Sequence, residues 1–522
     1  MSQIDPSHRL DHLVVVMFEN RSFDNLLGYL YPPGGSRAFE GVAGRSLSNP
    51  IPADAPGADR AVVPVHPAEN MHIPDPDPGE EHPHVNTQLY GTVSPPENRF
   101  KEIDEIQAPF NAPGAPGPEP TMDGFVADYI NSFRVEIGTW PEYEEYAQIM
   151  ACYTPEQLPV LSALARGFAC FDHWFCEVPS QTYANRSFFH AGSSSGFVLN
   201  GPFGRFAREN NAPTIFERLE TAGLPWRVYF HPEQLVSATG LIHARRLAPF
   251  FATHFASIHD FYEEAKAGKL PAYSFIEPNM FHPHTDMHPP GAARLRRMLH
   301  IPPPDSLIGG EQLLGQVYES IRDSSTEPGS NFQNTLLLVT FDEHGGTYDH
   351  VPPPRVAPPD PSAPAGEQGF RFDRSGVRIP TIAISAWIDE GTVINQEFRS
   401  TSVIRTLRER WSLGPPLTER DASAADISSI LTRTTPRPPN EWPRVAPLPL
   451  GAIDKVLNVL ERPLTQLERD LSGSALAHEA NLAGRTLDTN ISALSRREAG
   501  VHLKRIGASL FPRVARRPAT AD

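Results

Sequence analysis

"VVVMFENRSFDN", residues 14–25, is the stretch on which the fold turns. Val14 to Phe18 form an unbroken apolar run rich in β-branched residues, as in a strand covered on both faces. The run stops at Glu19 and Asn20, a carboxylate and an amide that a sheet interior does not hold without partners. In open α/β sheets ligands bind beyond the carboxyl ends of the strands. An acid delivered there by the first strand therefore points to a site.

Four more runs read as buried strands: "WRVYF" (226–230), "AYSFIEP" (272–278), "TLLLVTFDE" (335–343) and "IPTIAISAW" (379–387). Helical patterns alternate with them at 158–168, 212–223, 313–323 and 400–411. This alternation predicts an α/β fold around a mostly parallel sheet covered on both faces. The 522 residues suit one large domain with insertions. The 56 prolines, roughly twice the usual share, cluster in 50–120, 283–304 and 352–365 and predict long stiff loop insertions.

Lys plus Arg is 45 and Asp plus Glu 62, a net charge of −17, which argues against nucleic acid as a partner. Three cysteines, Cys152, Cys170 and Cys176, are an odd number without metal spacing and read as buried thiols. The opening residues "MSQIDPSHRLDH" lack a basic segment, and the apolar run behind them is too short for a Sec signal or a membrane span. The expected location is the cytoplasm, or outside it by a route without a Sec-type signal.

Chemistry-bearing residues gather at three strand ends. Glu19 and Asn20 follow the first; Asp342, Glu343, His344, Gly345, Gly346, Asp349 and His350 follow "TLLLVTF"; His282, His284, Asp286 and His288 follow "AYSFIEP". Each has a bland reading alone, as a cap or solvated turn. Together they predict a hard-cation site, because clustered carboxylates repel unless a cation neutralises them. The segment "EVPSQTYANRSFFHAGSSSG" (177–196) predicts an extended approach at Pro179 and a short helix ended by Gly192. Thr182 falls at or just before that helix's N-terminus, where a hydroxyl is either a cap or a neighbour of bound phosphate. Asn185 and Arg186 suit an oxyanion.

"FENRSFDNLLGYL", "TMDGFV", "PSQTYANR", "DMHPP" and "FDEHGGTYDHVPPP", in this order, resemble the bacterial phosphoesterase family of non-specific phospholipases C and acid phosphatases. That family belongs to the alkaline-phosphatase-like superfamily. The resemblance spans roughly residues 10 to 412 and implies a three-layer α/β/α sandwich. It implies a phosphoesterase that uses one divalent metal ion and a covalent intermediate on Thr182, with Ser180 as the rival hydroxyl. Glu19, Asn20, Asp342 and Glu343 correspond to its metal ligands, and His288 and His350 to histidines around the phosphate. Relatives often carry a histidine where this chain has Glu80, so His82 or His84 would substitute, and the general acid is open among Glu80, His82, His84, His288 and His350.

An oxygen-rich ligand set favours calcium, magnesium or manganese, with zinc open because histidines are near. Phospholipase C and phosphomonoesterase activity share this chemistry, and a non-catalytic metal-stabilised binding protein is the third reading. A choline headgroup would call on Tyr90, Tyr129, Phe125, Trp174 or Tyr183. The domain expected at 1–440 is followed by a helical extension, 441–522, with a basic end. Its Leu503, Ile506, Leu510 and Phe511 alternate with His502, Lys504, Arg505, Arg513, Arg516 and Arg517. That pattern fits peripheral contact with an anionic membrane or packing on the protein's own core.

Overall fold

The computed structural model describes residues 8–515 except 36–37, 115–116, 282, 300–302, 305, 451–463, 488 and 492–493. His282, Arg516, Arg517 and residues 1–7 of the opening segment lie outside the described residues. Eight strands form the main sheet: β1 (His12–Phe18), β2 (Ala169–Phe171), β3 (Trp226–Phe230), β4 (Phe255–Ser257), β5 (Tyr273–Glu277), β6 (Thr335–Phe341), β7 (Thr381–Ile384) and β8 (Thr392–Ile394). Their order across the sheet is β8-β2-β7-β6-β1-β5-β3-β4. Only β7 runs antiparallel to its neighbours; the other pairs are parallel.

Leu13 to Phe18 of β1 and Leu336 to Leu338 of β6 are fully buried on both alternating sides, so helices cover both faces. The Pro159–Gly167, Ile258–Lys266 and Ser306–Arg322 helices pack as one group; the Thr182–Ala191, Ile215–Thr221 and Ser402–Trp411 helices form another. The expected mostly parallel α/β sandwich is therefore present. The three strands absent from the sequence reading, β2, β4 and β8, are three residues each, too short to show a period.

The Ser306–Arg322 helix starts seven residues before the apolar pattern from 313 implied. Gly309 and Gly310 hide its first turns. A Cβ at Gly309 would lie 2.1 Å from the His284 carbonyl oxygen, and one at Gly310 would lie 2.3 Å from Met287 Cγ. The two glycines let the helix press against the loop that follows β5 and hold Asp286 and His288 in place.

A second, smaller core joins the His82–Tyr90 and Phe125–Ile137 helices through Val85, Leu89, Phe125, Tyr129 and Ile130, with Tyr348 packed among them. Beyond residue 440, the Gln466–Leu482 and Arg496–Leu510 helices share the main core through Leu471, Ala475, Leu503 and Ile506. Phe511 packs on Phe230, Phe251 and Phe255. Leu503, Ile506 and Phe511 thus face inward, while Leu510 is half-buried and Val501 exposed. Among the described residues no helix is long and apolar enough to cross a membrane. All three cysteines are buried free thiols, as expected.

Leu338 sits in β6 opposite Val15 on one side and Ala383 on the other. Leu338→Ala is expected to lower unfolding stability by about 2–5 kcal/mol in denaturant titrations, because the site cannot collapse between two strands.

Candidate active site

The register of β1 on β6 sets Phe18 opposite Phe341, so both acidic ends emerge side by side. Asp342 N–H still donates to the Phe18 carbonyl at 3.1 Å, and Glu19 N–H donates to Asp286 O at 2.8 Å. Beyond that point each polar side chain is tied at one end. Asp342 Oδ1 accepts the N–H groups of Asn20 (3.2 Å) and Glu343 (2.8 Å). Glu343 Oε2 accepts Gly345 N–H at 2.7 Å. Asn20 Nδ2 donates to Glu80. The opposite ends, Asn20 Oδ1, Asp342 Oδ2 and Glu343 Oε1, are buried without a hydrogen-bond partner.

Buried acceptors are rarely left so, and an orphan costs about 1–3 kcal/mol. Three on neighbouring residues, all oxygens, match the donor set of a hard divalent cation. The carboxyl values agree. Burial pushes Glu19 well above the usual range, and the Asp342 charge adds to this while Arg186 opposes it. Glu343 is raised by burial and then by Asp342, and Glu80 by burial and then by Glu343. The residues fit a metal ion.

Thr182 opens the Thr182–Ala191 helix, whose cap residue is Gln181, and the helix ends at Gly192 in the left-handed region. Its hydroxyl therefore caps nothing; it donates to Glu19 Oε2 at 3.3 Å. The rival Ser180 Oγ is spent on the Val198 carbonyl at 2.8 Å. Arg186, one turn along the helix, pairs with Glu19 and sets its Nε 3.6 Å from Asp342 Oδ2. Its Nε, although ion-paired with Asp342, and one terminal nitrogen have no hydrogen-bond partner, so donors remain for an oxyanion.

Asn185 is placed differently from the expectation of a phosphate contact. Its Oδ1 accepts Glu177 and Val178 N–H, and its Nδ2 donates to the carbonyls of Val178, Ser180 and Gln181. With both ends consumed, it braces the loop that leads to Thr182.

The histidines separate. His288 is buried, with Nδ1–H donated to Pro289 O at 2.7 Å and 3.8 Å from Asp77 Oδ2. Burial pushes Asp77 up to about 6, although His288 and Arg21 pull it down. His350 is drawn into another network: its ring bonds Asp24 at 2.6 Å and Glu40 at 3.2 Å. Asp24, Asp349 and His350 offer ligand atoms within 4.8 Å of one another, close enough to hold an ion. Arg378 already occupies that role, donating to Asp24 and to Asp349 at 2.9 Å each. We read this cluster as a closed ion-pair network.

His84 likewise contacts Asp128 (2.9 Å), whose other oxygen accepts Gln88 Nε2; Gln88 Oε1 in turn meets His344 Nε2. His82 Nδ1–H donates to Pro179 O, and burial pushes its ring down to about 4. The aromatic residues considered for a choline cage are mostly structural. Trp174 stacks on Phe398, Phe125 packs on Tyr348, Tyr129 bonds Pro76 O, and Tyr183 packs on Phe206. Tyr90 packs at the edge of the second core.

Residues 10–414 match the model of the phosphoesterase family. The chain belongs to that family. It is similar to non-specific phospholipase C3 of Arabidopsis thaliana, 31% identical over 441 residues covering 81% of this chain and 74% of the relative. Non-specific phospholipase C6 of the same plant is 31% identical over 481 residues, covering 88% and 80%. Phospholipase C A of Mycobacterium tuberculosis (strain ATCC 25618 / H37Rv) is 26% identical over 338 residues, covering 59% and 61%. Among solved structures, an alkaline phosphatase superfamily protein from Vibrio parahaemolyticus superposes on 52% of this chain and 64% of its own at 15% identity. Its TM-score is 0.31, too low to add weight to the sequence matches. The protein is thus a hydrolase of phosphoric esters, of phospholipase C type.

Two parts of this phosphoesterase's site escaped the sequence reading. Glu80, a departure from relatives and one of the general-acid candidates, orients the Asn20 amide instead. Gly345 was read as part of a turn, yet a Cβ there would lie 2.1 Å from the Asn20 carbonyl oxygen at a φ of +60°. Gly345→Ala is expected to displace Asn20 and weaken divalent-metal binding at least about tenfold by calorimetry. Gly369→Ala, at φ +75° with open space around it, should cost only about 1 kcal/mol and leave metal binding intact.

Burial would lower His84, but the Asp128 carboxylate outweighs it and pushes the ring from 6.5 up to about 9. A raised folded value stabilises fully below the unfolded one and fades as pH climbs through the folded one. The His84 contribution should therefore be complete below pH 6.5 and lost through pH 9. Tm against pH should show that decline in the parent and a flatter profile in His84→Gln.

Proposed function

We propose that this phosphoesterase is a metal-dependent phospholipase C-type enzyme acting through a covalent phosphothreonine at Thr182. The observation that carries the reading is the set of three orphaned oxygens on Asn20, Asp342 and Glu343 beside a Thr182 hydroxyl donated to Glu19. A calcium, magnesium, manganese or zinc ion held by these three residues and Glu19 would supply Lewis-acid charge to the reacting oxygens.

The chain's own groups do the rest. Thr182 Oγ1 attacks phosphorus as its proton passes toward Glu19 Oε2, 3.3 Å away. Arg186, through its free N–H groups, takes up the charge on the phosphoryl oxygens. The P–O bond to the alcohol breaks, and His288 supplies the proton that the alcohol takes. Water then cleaves the phosphothreonine, freeing a phosphomonoester from a diester and restoring the hydroxyl. The phospholipase C relatives favour a diester, such as a phospholipid, over a phosphomonoester.

Hydrolysis of p-nitrophenylphosphorylcholine and p-nitrophenyl phosphate, each with and without chelator, tests the reading. The diester should be preferred and chelator should stop both. Thr182→Ala should lose at least ~10³-fold in turnover while still binding phosphate, and Thr182→Ser should retain substantial activity. Glu19→Ala should stay folded and lose bound metal by elemental analysis. Near-normal turnover in Thr182→Ala would move the attack to Ser180 or to water, and preference for the monoester would make the enzyme a phosphatase.

A further inference from the structure

The family match ends at residue 414, yet the helix at Gln466–Leu482 reaches the residues on either side of Thr182. Asn200 is the link. Its backbone N–H donates to Gln181 Oε1 at 2.8 Å, and its side-chain Oδ1 accepts the Tyr183 N–H at 2.9 Å. Gln181 and Tyr183 are the immediate neighbours of Thr182, so a single asparagine holds both. The other end of that amide, Nδ2, donates to Asp470 Oδ2 at 2.8 Å.

Asp470 is buried, as are Asn200, Gln181 and Tyr183. Its second oxygen accepts from Gln466 Nε2 at 3.3 Å, and one turn on, Ser474 Oγ lies 3.3 Å from the Tyr183 hydroxyl. Both Asp470 oxygens accept amide N–H groups here, which matches the amide orientation in which Asn200 Oδ1 faces the Tyr183 N–H. Without that acceptor the amide is free to turn, and both grips on the Thr182 segment loosen.

We propose that the C-terminal helix is a working part of the active site, in which Asp470, acting through Asn200, is a positioning residue for Thr182. The inference rests on Thr182 as the attacking residue. Reactivity is sensitive to such placement, since a displacement of about 1 Å can cost about 10²-fold in rate. The helix also explains why residues outside the family match are packed so tightly here: they finish the support of the helix that carries the nucleophile.

The test is kcat per active site, from the burst of phosphorylated enzyme, on full-length variants. Asp470→Leu should lower kcat by roughly 10- to 100-fold with KM little changed. Asp470→Asn should recover most of that loss, since its amide oxygen still accepts from Asn200. Asn200→Ala should match Asp470→Leu, and the double variant should be no worse than Asn200→Ala alone. If Asp470→Leu does not fold, Asp470→Ser, too short to reach Asn200, carries the same expectation.

Unchanged kcat in Asp470→Leu (or in Asp470→Ser where that replaces it), an equal loss in Asp470→Asn, or multiplying losses in the double variant would overturn the proposal. Thr182→Ala measured alongside separates the two readings. Full turnover there sinks the nucleophile assignment, whereas an inactive Thr182→Ala beside a normal Asp470→Leu sinks only the role of the helix.

Discussion

The parallel register of β1 against β6, with Phe18 opposite Phe341, brings two acidic strand ends to one level of the sheet, and much of the architecture answers the charge this concentrates. Glu19, Asp342 and Glu343 are fully buried, with Glu80 close behind. Ionised carboxylates so placed repel one another and have lost their hydration. The fold meets part of that cost from within: Arg186 pairs with Glu19, and backbone N–H groups fill one oxygen each of Asp342 and Glu343. The oxygens left over, on Asn20, Asp342 and Glu343, are acceptors that a cation would satisfy.

The same logic distinguishes this site from the cluster around His350. Asp24, Asp349 and His350 are as close together as metal ligands, but Arg378 lies between them and the backbone N–H groups of Asp24 and Val351 take oxygens of Asp349. Proximity of ligand-type residues is common to both places. What differs is whether donors already satisfy them: of these two places, it is around Asn20, Asp342 and Glu343 that orphaned acceptors gather.

Support for the site comes from distant parts of the chain. Tyr129 and Gln88, on the helices of the smaller core, hold the Pro76 and Gly79 carbonyls of the loop carrying Asp77 and Glu80; the Ser306–Arg322 helix presses on the loop carrying Asp286 and His288, and the C-terminal helix grips Asn200. The long proline-rich connections thus bring supporting groups to strand ends that belong to another layer. This arrangement suits phosphoryl transfer, in which catalysis is almost entirely positioning and electrostatics.

The sequence by itself determined the five longer strands of the sheet, because apolar runs such as 12–18 and 335–341 admit little besides buried strands. It also singled out the strand ends at which the orphaned oxygens lie, since Asn20, Asp342 and Glu343 follow those strands directly and Thr182 opens a helix ended by Gly192. The fate of each polar side chain was decided only by the tertiary structure. Asn185 and Arg186 are adjacent in sequence, yet one is consumed by loop carbonyls and the other keeps free donors. His288 and His350 sit in comparable motifs, yet His350 is held by Asp24 and Glu40 while His288 bonds the Pro289 carbonyl beside Asp77. The link from Asp470 to Thr182 spans 270 residues between Asn200 and Asp470. No local pattern encodes it, because hydrogen-bond satisfaction depends on which groups folding brings within 3 Å or so of one another.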